Sequence, residues 1–425
     1  GVPRVSIGAL VADVVGDSRQ EIIHAGEGGV TVLDGTTGSV IWSVPLAGAT
    51  VSAQFEIADL NNDGIFEIIV ATEYPARLHA FNGNNGSLYW SSPILGGMSP
   101  SDPVVADIDG DGYPTIFVAT MWTSETNNDG KLTALSHDGR ILQQVWTWHP
   151  CAGGLALADA DGDGEFELYL GDRNTGSGLG VSSYWARNLT MRWYRNEIMC
   201  SSHRPMLVDV NGDGILDVII GHHRGGVAVY DSRDGRTISQ NLNIPNDAPV
   251  HYQPSVYDID GDGNLEILMA DGEHNNTAND IVVWDLVLRK VDARIPVVAG
   301  KYGPQVADVT GDGYMDIIIC NNTDIFIYDR TYTLVAMIKG LAARLMNPVV
   351  QDIDGDDYNE LVVASEAGRI YTFDTPARAP SPRARTEVRF YSERRLGAAE
   401  YVPTPGPAAP QITEPAPPDG ATSIP

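Results

Sequence analysis

The chain is 425 residues long, carries 56 acidic against 27 basic side chains, and has a formal net charge of −29. That balance argues against a nucleic acid as partner, because each phosphate would be repelled. No run of about twenty apolar residues is present, so nothing in the chain reads as a membrane-spanning helix.

In chain order, the first distinctive segment is DVVGDSRQE from Asp13. It opens a series of nine-residue loops with oxygen-bearing side chains at positions one, three, five and nine, and glycine at position six. This copy offers Asp13, Asp17 and Glu21 but has Val15 at the third position and Ser18 in place of glycine, so weak or no metal binding is expected there. The segment VTVLDGTTGSVIW at 30–42 follows and reads as a hairpin, because apolar alternation around an Asp-Gly turn is a strong hairpin signal. The second loop, DLNNDGIFE, offers Asp59, Asn61, Asp63 and Glu67, with LHAFNGNNGSLYW at 78–90 as its hairpin. The third, DIDGDGYPT, offers Asp107, Asp109 and Asp111 but ends in Thr115, and its hairpin is LTALSHDGRILQQVW at 132–146. The fourth, DADGDGEFE, offers Asp159, Asp161, Asp163 and Glu167, with the backbone carbonyl of Glu165 as a further oxygen. The fifth, DVNGDGILD, offers Asp209, Asn211, Asp213 and Asp217. The sixth, DIDGDGNLE, offers Asp258, Asp260, Asp262 and Glu266. The seventh, DVTGDGYMD, offers Asp308, Thr310, Asp312 and Asp316, and the eighth, DIDGDDYNE, offers Asp352, Asp354, Asp356 and Glu360.

Packing so many carboxylates into one turn requires a positive charge among them. Hard oxygens at alternate positions around a sharp turn suit calcium, which takes six to eight oxygens at about 2.3–2.6 Å. Simple Asx turns would explain the loop but not the acid that returns at the ninth position. Seven or eight calcium sites are therefore expected. The first aspartates of successive loops lie 44 to 52 residues apart. Each loop sits between short runs rich in Val and Ile, such as PVVADID and TIFVAT, which read as strands. With the second hairpin, each repeat supplies four antiparallel strands, and roughly fifty residues per four-stranded unit is the arithmetic of a propeller blade. The expected fold is all-β: a β-propeller of eight blades over residues 1–375, with seven blades plus a partial copy as the alternative. The last blade lacks an obvious fourth strand after RIYTFDT at 369–375, and TEVRFYS at 386–392 is the candidate to supply it.

The loops resemble the FG-GAP/VCBS repeats of integrin alpha-subunit propellers and of many secreted microbial proteins. The LDGTTGSVIW hairpin is similar to those of PQQ-type propellers, although the adjacent cysteines typical of PQQ enzymes are missing. The resemblance implies the fold and the calcium sites but not an activity, because one fold hosts many functions.

Nearly half of the 56 acids occupy loop positions, so the acidity is largely a matter of calcium. Such loops belong where calcium is plentiful, outside the cell. Sequons at Asn85, Asn188, Asn275 and Asn321 agree with a secreted glycoprotein. Cys151 and Cys200 hold nearly equivalent places in neighbouring repeats and are equally open to a disulfide or to two buried thiols, while Cys320 reads as core.

If the metal loops and the hairpins share one face of the ring, the remaining connections share the other. Most of the histidines fall there, together with Trp122, His203, Arg204, His222, His223, His251, Tyr252, Lys301, Tyr302 and Arg344. Such a rim suits an acidic polysaccharide, although polar loops alone would also collect these residues. Rhamnogalacturonan lyases are secreted calcium propellers with similar loops, which keeps a polysaccharide lyase or a lectin as an alternative function. No residue is singled out as catalytic.

Beyond residue 375 the composition changes. Eleven of the 26 prolines and six arginines lie in 376–425. Residues 376–410 read as a Pro- and Arg-rich linker, and 411–425 as an extended tail or the start of an immunoglobulin-like domain. The expected function is a secreted cell-surface protein for adhesion or assembly. Its expected partners are carbohydrate, a surface protein, or neighbouring copies bound through the tail.

Overall fold

A computed structural model describes residues 8–26, 29–46, 50–51, 55–73, 75–121, 130–147, 154–171, 180–196, 204–221, 226–241, 254–273, 277–297, 303–341, 344–379 and 422–424. The strands group into eight antiparallel sheets, each ordered in space as in sequence. The first blade shows the plan: Leu10–Ala12 innermost, then Glu21–Gly26, Gly29–Asp34 and Val40–Val44 outermost. In the second and third blades the innermost strand is split, with Thr50–Val51 and Glu56–Ala58 both pairing Glu67–Glu73, and Met98–Pro100 and Val104–Ala106 both pairing Thr115–Met121. Because each metal loop joins the first strand to the second and each glycine-rich hairpin joins the third to the fourth, both lie on one face of the ring.

Strand sequence follows position in the blade. The second strands are sandwiched on both faces by neighbouring blades, and Glu167–Gly171, Asp217–Gly221 and Asp316–Cys320 are buried throughout. The outermost strands meet solvent on one face and alternate instead, so Val40, Leu142 and Leu334 are exposed. Among the described residues the hydrophobic core is eight separate clusters, each shared by two adjacent blades. One of them closes the ring, packing Ala9, Val11 and Ile22 of the first blade on Met346, Ile353 and Val362 of the last. Gln351 Nε2 donates to Gln20 Oε1 across the same seam at 2.8 Å. Cys320 is buried in the core shared by the seventh and eighth blades, as expected.

The fourth strand of the last blade is Thr422–Ile424, which pairs with Ile370–Thr372. It takes the place expected of 386–392, a segment outside the described residues.

Two details of the outer strands recur. First, an indole pins one blade to the next. Trp42 Nε1 donates to the carbonyl of Gly83 at 2.6 Å, Trp90 Nε1 to that of His137 at 2.8 Å, and Trp193 Nε1 to that of Ser232 at 2.8 Å. Each ring lies against a hairpin glycine of the next blade with positive φ: a Cβ on Gly86 would come within 2.5 Å of Trp42, and one on Gly235 within 2.7 Å of Trp193. Where the outer strand has a small residue instead, the hairpin residue is large. Ala293 stands at the tryptophan register of blade six, and Tyr332 of blade seven holds the glycine position at φ 63° and packs on the same cluster. Second, the pairing of third and fourth strands slips by one residue just after the hairpin in seven blades, a β-bulge. The extra residue is Ile41, Tyr89, Leu142, Arg192, Ile238, Asp292 or Val335.

Candidate metal centre

Each metal loop is held by its own side chains. The first aspartate accepts from the amides three and five residues on: Asp107 Oδ1 from Gly110 at 2.8 Å and Oδ2 from Gly112 at 2.9 Å. Asp209, Asp258 and Asp308 repeat the pattern. The fifth-position carboxylate accepts the amide two residues on, as Asp163 does from Glu165 at 2.8 Å. Gly164 turns the chain at φ 89°, and Ser18 and Asp357 take up the same left-handed conformation in the two loops without glycine there.

The ninth-position acid is the first residue of the second strand or sits just inside it, and it is buried. Glu67, Glu167 and Glu266 are 0% exposed, and Glu21, Asp217, Asp316 and Glu360 are nearly so. One oxygen accepts the amide of the loop's second residue: Leu60 to Glu67 at 2.9 Å, Ala160 to Glu167 at 3.0 Å, Ile353 to Glu360 at 2.7 Å. The other oxygen faces the loop interior, and the third-position residue decides what it meets. Asn61 donates its amide to Glu67 Oε1 at 3.2 Å, and Thr310 its hydroxyl to Asp316 Oδ1 at 3.3 Å. Asp161, Asp260 and Asp354 have no proton to give when ionised, so there a carboxylate meets a carboxylate. In the fourth loop Asp159 Oδ1, Asp161 Oδ1 and Glu167 Oε1 are all buried without a hydrogen-bond partner. One oxygen from each of these three residues lies within 4.8 Å of the others, and Asp107–Asp109–Asp111, Asp258–Asp260–Asp262 and Asp352–Asp354–Asp356 cluster in the same way.

Burial is the main cause of the high proton affinity of these acids. It raises Glu21, Glu67, Glu167, Asp217 and Glu360 to about 7, Glu266 to about 8 and Asp316 to about 6, against partly offsetting amide hydrogen bonds. Neighbouring loop carboxylates push most of them in the same direction. The donor set is hard oxygen only, with orphaned buried oxygens pointing together, and it fits calcium.

Among the described residues, arginines form ion pairs with acids of three of the loops. Arg19 pairs with Asp17 at 2.7 Å in the first, the loop already short of ligands. Arg192, the bulge residue of blade four, lies 3.4 Å from Glu167 and 3.7 Å from Asp161. Arg233 lies 3.9 Å from Asp213 in the fifth. The loop positions are legible from spacing, whereas Arg192 and Asp292 lie outside the nine-residue pattern. Their signal was available: both fall at a fixed place in the hairpin repeat, one residue before the tryptophan register.

On the opposite face, two of the rim residues are described. Arg204 Nη2 donates to Asp102 Oδ2 at 2.9 Å, tying blade five to blade three. Arg344 contacts Glu366 at 3.2 Å and Asn322 at 3.3 Å. Trp122, His203, His222, His223, His251, Tyr252, Lys301 and Tyr302 lie outside the described residues, as do Cys151, Cys200 and Asn275. Asn85 and Asn188 are exposed on hairpins, whereas the Asn321 side chain accepts two backbone amides.

Residues 59–118 and 209–269 match the FG-GAP-like repeat family. No curated protein matches the chain. Among solved structures, Sqt1 of Saccharomyces cerevisiae is similar at 10% identity and TM-score 0.66, over 88% of this chain and 96% of that one. Quinohemoprotein alcohol dehydrogenase of Comamonas testosteroni is similar at 15% identity and TM-score 0.61, over 88% and 75%. The computationally designed Ika8 protein follows at 10% identity and TM-score 0.57, over 88% and 97%. At these identities the likeness is one of fold. The chain is an eight-bladed β-propeller with FG-GAP-like repeats at 59–118 and 209–269.

Proposed function

We propose that this FG-GAP-repeat propeller is a calcium-braced, non-catalytic binding platform on the outside of a cell. The observation that carries the reading is the set of buried carboxylate oxygens without a hydrogen bond in the fourth and sixth loops, Asp159 Oδ1, Asp161 Oδ1, Glu167 Oε1 and Glu266 Oε1. Asp159, Asp161, Asp163 and Glu167 would hold one ion, and the corresponding residues of the second to eighth loops would hold the others, with the first loop weak because Arg19 engages Asp17. The bound ion supplies positive charge to carboxylates that otherwise repel or take up protons, and so fixes each loop against its blade. Calcium concentrations that fill exposed loops of this kind occur extracellularly, and the exposed sequons at Asn85 and Asn188 agree.

The partners we infer are carbohydrate, a surface protein, or further copies joined through the C-terminal tail. The platform reading is favoured over a polysaccharide lyase because Arg204 and Arg344 already hold carboxylates. A lyase needs such cations for developing negative charge on its substrate. Electron microscopy of the untagged protein in its native cells is the test. Surface labelling, with or without ordered polymers, is expected. An intracellular distribution, or ultraviolet-absorbing unsaturated products from acidic polysaccharide, would overturn the reading.

A further inference from the structure

We propose that blade six holds a second cation beside that of its loop, between Glu266, Asp285 and Asp292; the inference rests on the loops binding calcium. One carboxylate oxygen from each of the three lies within 4.8 Å of the others. Glu266 and Asp285 are directly opposite each other on neighbouring strands and both are 0% exposed. Like charges so placed are destabilising. Glu266 Oε2 accepts the Ile259 amide at 2.9 Å, and its Oε1 is buried with no hydrogen-bond partner. Asp285 Oδ1 is fixed by the amides of Val287 and Leu288 at 2.7 and 2.6 Å, and Asn264 Nδ2 lies 3.5 Å from its Oδ2.

The ring supplies the contrast. Where an acid faces the ninth-position acid in blades one and five, arginines balance it: Arg19 lies 3.7 Å from Asp34, and Arg233 and Arg236 lie 2.7 and 3.1 Å from Asp231; in blade eight the facing acid, Asp374, is exposed to solvent instead. In blade four the bulge itself provides Arg192. In blade six the bulge residue is a further acid, Asp292. Among the described residues, the one ion pair these three carboxylates make is Lys290 Nζ to Asp292 Oδ1 at 2.5 Å, from a lysine 54% exposed. One exposed ammonium is set against three carboxylates.

Blade seven adds a buried polar group nearby in the hydrophobic core it shares with blade six. The Tyr332 hydroxyl is buried without a hydrogen-bond partner. Burial chiefly raises its pKa, and the charges of Glu266, Asp260, Asp292 and Asp262 raise it further. The arrangement is all hard oxygen: Glu266 clusters with Asp285 and Asp292, and it is also the ninth-position acid of the loop whose Asp258, Asp260 and Asp262 form a cluster of their own. A carboxylate shared by two divalent ions is a familiar feature of paired metal sites, and calcium is the cation this chemistry selects.

Native mass spectrometry of the full chain titrated with calcium tests the site. Asp292→Asn is expected to bind one calcium fewer than the unaltered chain, with circular dichroism unchanged. Lys290→Ala removes the competing ammonium and is expected to tighten the weakest bound calcium about tenfold; it carries the test if Asp292→Asn fails to fold. Equal calcium counts for a folded Asp292→Asn, or unchanged affinity in Lys290→Ala, would overturn the second site and leave the loops standing. An unaltered chain that binds no calcium would overturn both.

Discussion

At the scale of single residues, the bulge position shows how one substitution alters a repeated site. Arg192 is 8% exposed in its side chain and lies against a fully buried Glu167. It is stacked over Trp185 with its guanidinium carbon 4.2 Å from the ring centre. Removing one partner of a buried pair typically costs about 3–5 kcal/mol. Arg192→Met is therefore expected to lower the melting temperature sharply in chelator and to regain much of the loss in calcium, which a pair of thermal unfolding curves would reveal. The indole pins give a second residue-level prediction. Trp193→Ala is expected to destabilise by about 3–5 kcal/mol in denaturant unfolding, as aromatic truncations in cores do. Gly235→Ala meets the Trp193 ring at 2.7 Å, whereas a Cβ on Gly340, also at positive φ, meets nothing within 4 Å. Both replacements strain the backbone by about 1–2 kcal/mol, so the extra loss at Gly235 measures the indole contact.

At the scale of elements, the metal loop and the strand that follows it form one electrostatic unit. Its ninth-position acid is well suited to a cation and poorly suited to an empty loop. In the metal-free chain these acids have folded pKa values of about 7 to 8 in most blades, above their usual carboxylate values. A raised folded pKa means that the native state binds protons more tightly than the unfolded one. The stabilisation is complete below about pH 4.5 and is lost as pH rises through 7 to 8. Chelated protein should therefore melt at a lower temperature at pH 8 than at pH 5.5. Saturating calcium should reverse the trend, because ions compete with protons for the same oxygens. Melting curves across this pH range check both signs.

Legibility also divides by element. The loops and hairpins were readable because their chemistry is local: alternate oxygens, a glycine and an acid at fixed spacing, then alternation around a short turn. The split inner strands at Thr50–Val51 and Met98–Pro100 were not, because they arise from pairing rather than composition. Nor was the choice of Thr422–Ile424 as the final strand, since a strand of three residues carries no period to read. The bulge residues were hidden for a related reason. A register slip turns Arg192 and Asp292 toward the loop acids, whereas plain alternation would have assigned them no such role.

At the scale of the whole molecule, eight inter-blade cores make each blade dependent on two neighbours. The ring closes through Ala9, Val11 and Ile22 packed on Met346, Ile353 and Val362. The acidic loops ring one face and gather nearly half of the 56 acids there. Calcium would relieve that repulsion at many blades together. With free calcium tenfold above a site's dissociation constant, each occupied site adds roughly 1.4 kcal/mol.

The central claim, that bound calcium holds this propeller together, is tested most directly by thermal unfolding of the full chain at pH 7.5 in chelator and in saturating calcium. A melting temperature that rises steeply with calcium, and falls again when chelator is restored, is the expected result. Identical curves in the two conditions would contradict it.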